Sequence, residues 1–164
     1  MKTLEIRDRI DVEKPIRPWH FAPGERGLYA QLANEHAVVA FDLITNRVVK
    51  RLELPVKEGI TTADSDFEAP HHGLALTRDG ATLCLAGRAS DYAALVHAPA
   101  LTLIATIPVG DAPGWAEVSE DGRLCLIANT RSDDLSIISI PDRWEVVRLP
   151  MRDGPKHITV ARPR

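Results

Sequence analysis

Four places along the chain set a proline two residues ahead of an imidazole or an indole. They are Pro18-Trp19-His20, Pro70-His71-His72, Pro113-Gly114-Trp115 and Pro155-Lys156-His157. Imidazole nitrogens are common ligands for transition metals and for the axial position of haem. His20, His72 and His157 are therefore the candidate metal ligands, with Trp115 in the fourth place. Against this stands a structural role, because a repeat copies a histidine that hydrogen-bonds nearby backbone as readily as one that holds a ligand. No carboxylate accompanies the histidines at fixed spacing. The structural role is the expectation, with no cofactor, and a transition metal or haem is the alternative.

Other chemistry is sparse. Asp64, Asp66 and Glu68 alternate in a loop, but that loop lacks the central glycine and the twelfth-position glutamate of a calcium-binding loop. No ordered Ser-His-Asp or Cys-His set suggests a nucleophile, and no glycine-rich loop would cradle a phosphate. The residues point to a non-enzymatic binding or scaffold module.

The motif recurs at intervals of 52, 43 and 42 residues, so the chain is an array of one unit of roughly 40 residues. A period of that size with strand signals inside it predicts the four-stranded blades of a β-propeller. The unit from Trp115 is the clearest. Trp115–Val118 is a short strand, Asp121-Gly122 a turn, Leu124–Ala128 an apolar strand, Leu135–Ile140 a third and Trp144–Leu149 a fourth. Gly, Asn, Asp and Pro stand at the joints. Leu74–Leu76, Thr82–Ala86, Tyr92–Val96 and Leu103–Val109 repeat the plan, as do Ala37–Asp42 and Arg47–Leu52 within 21–56. No window keeps a 3.6-residue apolar period, so almost no helix is expected.

Several of these segments carry a resemblance. Val38-Val39-Ala40-Phe41-Asp42 with Asn46-Arg47-Val48-Val49, Asp79-Gly80-Ala81-Thr82-Leu83, Ala105-Thr106-Ile107-Pro108-Val109-Gly110 and Ile127-Ala128-Asn129 resemble the YVTN-type β-propeller repeat over nearly the whole chain. The resemblance implies a seven-bladed ring and, for many members, a secreted or periplasmic location. Its wider superfamily includes haem-d1-binding and quinoprotein-related domains. That suggests a metal- or haem-associated redox or cofactor-maturation propeller as one alternative, and a lactonase-like hydrolase, by fold analogy alone, as another.

The expected organisation is all-β: an outer strand of a preceding blade in 1–16, blades in 17–56, 70–111 and 112–154, a loop in 57–69, and an inner closing strand in 155–164. Three complete blades and two single strands cannot close a ring, since propellers have typically 4–8 blades. The expectation is that the chain is the C-terminal half of a longer propeller, with self-association through open blade edges as the alternative. Segments joining one blade to the next should lie where the central channel opens. They would bring His20, His72 and His157 to the channel mouth, rimmed by Trp19, His36, His71, Asp91, Trp115 and Asp133, to meet a protein or small-molecule ligand.

Charge and composition narrow the partners. A net charge of −3 gives no electrostatic reason to expect nucleic acid or acidic lipid. No apolar run approaches the roughly 20 residues of a membrane helix. Met1–Arg7 is too charged for a signal peptide, so the chain as written would stay in the cytoplasm, whereas a full-length parent would be exported. Cys84 and Cys125 lie one residue out of step between successive units and should face opposite ways. With packed sheets about 10 Å apart, they are expected to be small core residues rather than a disulfide.

Overall fold

A computed structural model describes residues 5–6, 9–10, 12, 14–61 and 69–161. Its strands are β1 Ile16–Phe21, β2 Gly27–Leu32, β3 Ala37–Asp42, β4 Arg47–Glu53, β5 Gly73–Leu76, β6 Thr82–Gly87, β7 Tyr92–His97, β8 Thr102–Pro108, β9 Pro113–Val118, β10 Leu124–Asn129, β11 Asp134–Ser139 and β12 Trp144–Pro150. They form three four-stranded antiparallel sheets, β1-β2-β3-β4, β5-β6-β7-β8 and β9-β10-β11-β12. The one helical element among the described residues is a 3-10 turn at Pro23–Glu25.

Burial follows the blade plan. Leu83–Ala86 in β6 and Ala93–Val96 in β7 are fully buried because neighbouring sheets cover both faces of the middle blade. The outer strands β4 and β12 are largely exposed. Leu74, Leu83, Leu85 and Val96 pack against Tyr29 and Val38 of the first blade. Leu95, Ala93 and Ile107 pack against Ala116, Ile127 and Ile138 of the third. The turns between first and second strands recur in detail. Thr77 Oγ1 donates to Asp79 Oδ1 and Ser119 Oγ to Asp121 Oδ1, each at 2.6 Å, ahead of Gly80 and Gly122 at φ +73° and +69°.

The cysteines correct the sequence reading. Cys84 pairs with Ala75 and Leu95 in the second blade, Cys125 with Val118 and Ile138 in the third. Being one step out of register, they do face opposite ways. Adjacent blades present opposite faces to each other, however, so that offset turns the two thiols toward one another. The blades approach most closely at their inner strands: a Cβ on Gly73 would lie 2.6 Å from the Ala116 amide nitrogen. There the Cα atoms of Cys84 and Cys125 are 6.1 Å apart and the pair forms a buried disulfide. The 10 Å sheet spacing does not apply so close to the axis.

Among the described residues, neither expected end strand forms a ladder. The expected outer strand lies partly outside the described residues, and residues 5, 6, 9, 10 and 12 carry no strand pairing. Residues 155–161 are not assigned to a strand, since a strand is stabilised by a neighbour's backbone groups. Asp64, Asp66 and Glu68 also lie outside the described residues.

Candidate functional site

The ladders decide which residues of the repeat are equivalent. Gly27 pairs with Asp42 and Thr82 with His97, so the first two blades are offset by 55 residues. Pro18 and Pro70 are only 52 apart. Trp19, opposite Ala30, therefore corresponds to Leu74, opposite Leu85, and His20 lies about three residues further along its strand than the prolines suggest. Its Nδ1 donates to the Phe21 carbonyl at 2.8 Å. It lines a cavity with Thr77, Ser119 and Thr159, beside the turns between first and second strands. Trp19 packs edge-to-face on Phe21.

His72 and His157 are brought together. Both flank Trp115, whose ring centroid is 4.2 Å from that of His157 and 6.1 Å from that of His72. His72 Nδ1–H donates to the Gly114 carbonyl at 3.0 Å, which assigns the tautomer and ties the second blade to the third. These three residues line a cavity of about 160 Å³ with Arg17, Arg88 and Lys156. Arg17 takes its place because the three-residue offset puts Arg17, rather than His20, beside His72. The sequence reading missed the three cations. Counting the units from their third strands, instead of their prolines, would have aligned Arg17 with His72.

The segment carrying Lys156 and His157 is fixed from below. Gly154 N–H donates to Asp133 Oδ1 at 2.8 Å, Met151 N–H to the Asp133 carbonyl at 2.7 Å, and Thr130 Oγ1 to the Pro155 carbonyl at 3.1 Å. Asp91 does the equivalent work one blade earlier, accepting from the Ala112 amide at 3.1 Å while its own carbonyl accepts from Val109. Asp91 and Asp133, at φ +55° and +54°, thus hold the connections between blades.

In the first blade the corresponding residue is His36, whose carbonyl accepts from Leu54. Its side chain crosses the longer connection to His71, Nδ1 to Nε2 at 3.2 Å. His71 is 1% exposed, so the structure places it beneath the surface rather than on the rim. Burial, and secondarily His36, pull its pKa down to about 3, and burial lowers that of His36 as well. Beside the pair, burial raises the Tyr92 phenol, which donates to the Pro55 carbonyl at 2.8 Å. Among the described residues, no group of three or more His, Cys, Asp or Glu side chains is arranged to hold a metal ion.

Three four-stranded antiparallel blades of this shape define part of a β-propeller fold of the WD40-like kind. No family model matches the chain, and no curated protein matches it. Among solved structures it is similar to hydrazine synthase of Kuenenia stuttgartiensis (20% identity, TM-score 0.71), covering 94% of this chain and 41% of that one. It is similar also to U3-55K and to the RRP9 WD40 repeats, each at 10% identity and TM-score 0.71 over 88% of this chain. The chain spans about two fifths of the length of these structures, covering 42% of U3-55K and 41% of RRP9.

Proposed function

We propose that this protein is a non-enzymatic binding propeller of the YVTN type, whose ligand site is the channel-mouth cavity around Trp115. The observation that carries this reading is convergence: Arg17 from the first blade, His72 and Arg88 from the second, Trp115 from the third and His157 from the following segment line one cavity. Concave sites where several elements meet are where small ligands bind. A seven-bladed parent and an exported location are part of the same proposal. The buried Cys84–Cys125 disulfide supports an oxidising compartment. A metal- or haem-associated role draws on only two of its three histidines at this cavity, since His20 lies apart. Protein contacts would use the same mouth. Self-association would use the third blade's outward face, where Val147 and Leu149 are part-exposed beside Ile137 and Leu135, and light scattering would show it as mass rising with concentration.

The test is an NMR screen of a chemically diverse fragment library, reading the Trp115 indole N–H resonance against those of Trp19 and Trp144 and assigning it with Trp115→Phe. Ligands that move Trp115 selectively support the reading. A library that moves none of the three, or all equally, overturns it.

A further inference from the structure

A second cavity lies at the other end of the inner strands, beside the turns between first and second strands. Its volume is about 430 Å³, within the roughly 300–1,000 Å³ typical of small-molecule sites. All three blades and the segment after them reach it. The ladders put three residues at one level of the inner strands: His20 opposite Tyr29 in β1, Ala75 opposite Cys84 in β5 and Glu117 opposite Leu126 in β9. Ala75 is small and buried. The polar side chains of that level are therefore His20 and Glu117, and both line the cavity.

The hydrogen bonds around this cavity spend its donors and leave acceptors. The hydroxyl protons of Thr77 and Ser119 go to Asp79 and Asp121, each at 2.6 Å. Arg78 faces Glu120 at 3.7 Å. His20 gives its Nδ1 proton to the Phe21 carbonyl at 2.8 Å. A carbonyl only accepts, so the neutral ring keeps a lone pair on Nε2. Glu117 accepts from the Val118 amide at 3.0 Å and, among the described residues, pairs with no cation. A carboxylate offers about four lone-pair sites, so most of its accepting capacity is left. Thr159 adds a hydroxyl that can accept as well as donate. Phe21, Leu76, Val118 and Val160 supply apolar walls.

From this pattern of donors and acceptors we infer that the cavity binds a compact organic ammonium, an amine carried on an apolar body. An ammonium group is a donor only, and so complements a carboxylate, an imidazole lone pair and a hydroxyl oxygen. Hydrogen bonds from a cation to a carboxylate are shorter and stronger than those between neutral groups. An anion would instead meet the charge of Glu117, and a neutral alcohol brings a single proton and no charge. The apolar walls take the body of the ligand out of water. This site is separate from the cavity around Trp115, at the opposite end of the strands, and neither depends on the other.

The experiment titrates phenethylamine and, separately, its neutral counterpart phenylethanol into the 164-residue chain at neutral pH. It follows the methyl resonances of Val118 and Val160 and the Trp115 indole N–H by NMR. The amine should move both valines, leave Trp115 in place, and bind about tenfold tighter than the alcohol. Glu117→Gln should weaken the amine by about the same factor and leave the alcohol unchanged, which also shows the cavity intact. Glu53→Gln, on the outer strand of the first blade, should leave both unchanged. Equal affinity of amine and alcohol for the unaltered chain would overturn the ammonium assignment without recourse to any variant. Equal weakening by Glu53→Gln would mean diffuse attraction and overturn the site. An amine that moves Trp115 rather than the valines, or moves none of them, would overturn it too, while the fragment screen at Trp115 stands or falls on its own result.

Discussion

His71 makes the fold sensitive to acid. In the native protein it is buried, neutral, and 3.2 Å from His36 through their facing nitrogens, while His36 Nε2 and His71 Nδ1 have no partner. A single proton lies between the facing nitrogens; a second would set N–H against N–H at a buried site. Burial, with His36 adding to it, holds the native pKa near 3, against about 6.5 in the unfolded chain. Below pH 6.5 the unfolded state therefore binds a proton that the native state refuses. Stability is complete above that pH and falls as pH drops toward 3. At 1.36 kcal/mol per pH unit, moving from pH 7 to pH 5 costs about 2 kcal/mol, and the full loss by pH 3 is about 5 kcal/mol. Urea unfolding followed by tryptophan fluorescence reads this directly. With a slope of about 2 kcal/mol/M for a domain of this size, the midpoint should fall by about 1 M between pH 7 and pH 5. His71→Leu, which cannot titrate, should show a midpoint shift smaller by most of that amount, whatever its stability at pH 7. An unchanged pH dependence in the variant would refute the reasoning.

Three further outcomes follow from the blade contacts. Reduction of Cys84–Cys125 should lower stability by about 4 kcal/mol, from the entropy of a loop spanning 41 residues; thiol titration in denaturant should find two thiols only after reductant, and an identical melting temperature with and without reductant would contradict the bridge. Gly73→Ala forces a methyl group against the Ala116 amide between blades and should cost about 1–3 kcal/mol, read as a drop in the urea midpoint. Asp133→Ala removes the acceptor of the Gly154 amide. It should cost about 1 kcal/mol and loosen the His157–Trp115 stack, seen as loss of nuclear Overhauser contacts between the two rings.

The second and third blades were legible strand by strand in the sequence, whereas in the first only β3 and β4 were. Leu124–Ala128 and Trp144–Leu149 were expected and are found within one residue at each end, because apolar runs, Asp-Gly turns and prolines are local features. The site was legible only in part. His72, Trp115 and His157 line one cavity and His20 another, and the proline used to align His20 stands three residues out of step with the ladder. Arg17 and Arg88 belong to no motif; they reach this cavity from the first and second blades, and Lys156 from the segment after the third.

The amino-acid sequence alone determined the repeat, its period and ten of the twelve strands, since each depends on neighbours within a few residues. The tertiary structure decided everything that depends on one blade meeting the next. A one-residue offset became a disulfide rather than a separation, His71 was buried against His36, and residues from three blades and the segment after them came to line one cavity. Register between sheets is set by hydrogen-bonded ladders and by packing at the blade interface, and neither is written in the local pattern of any single strand.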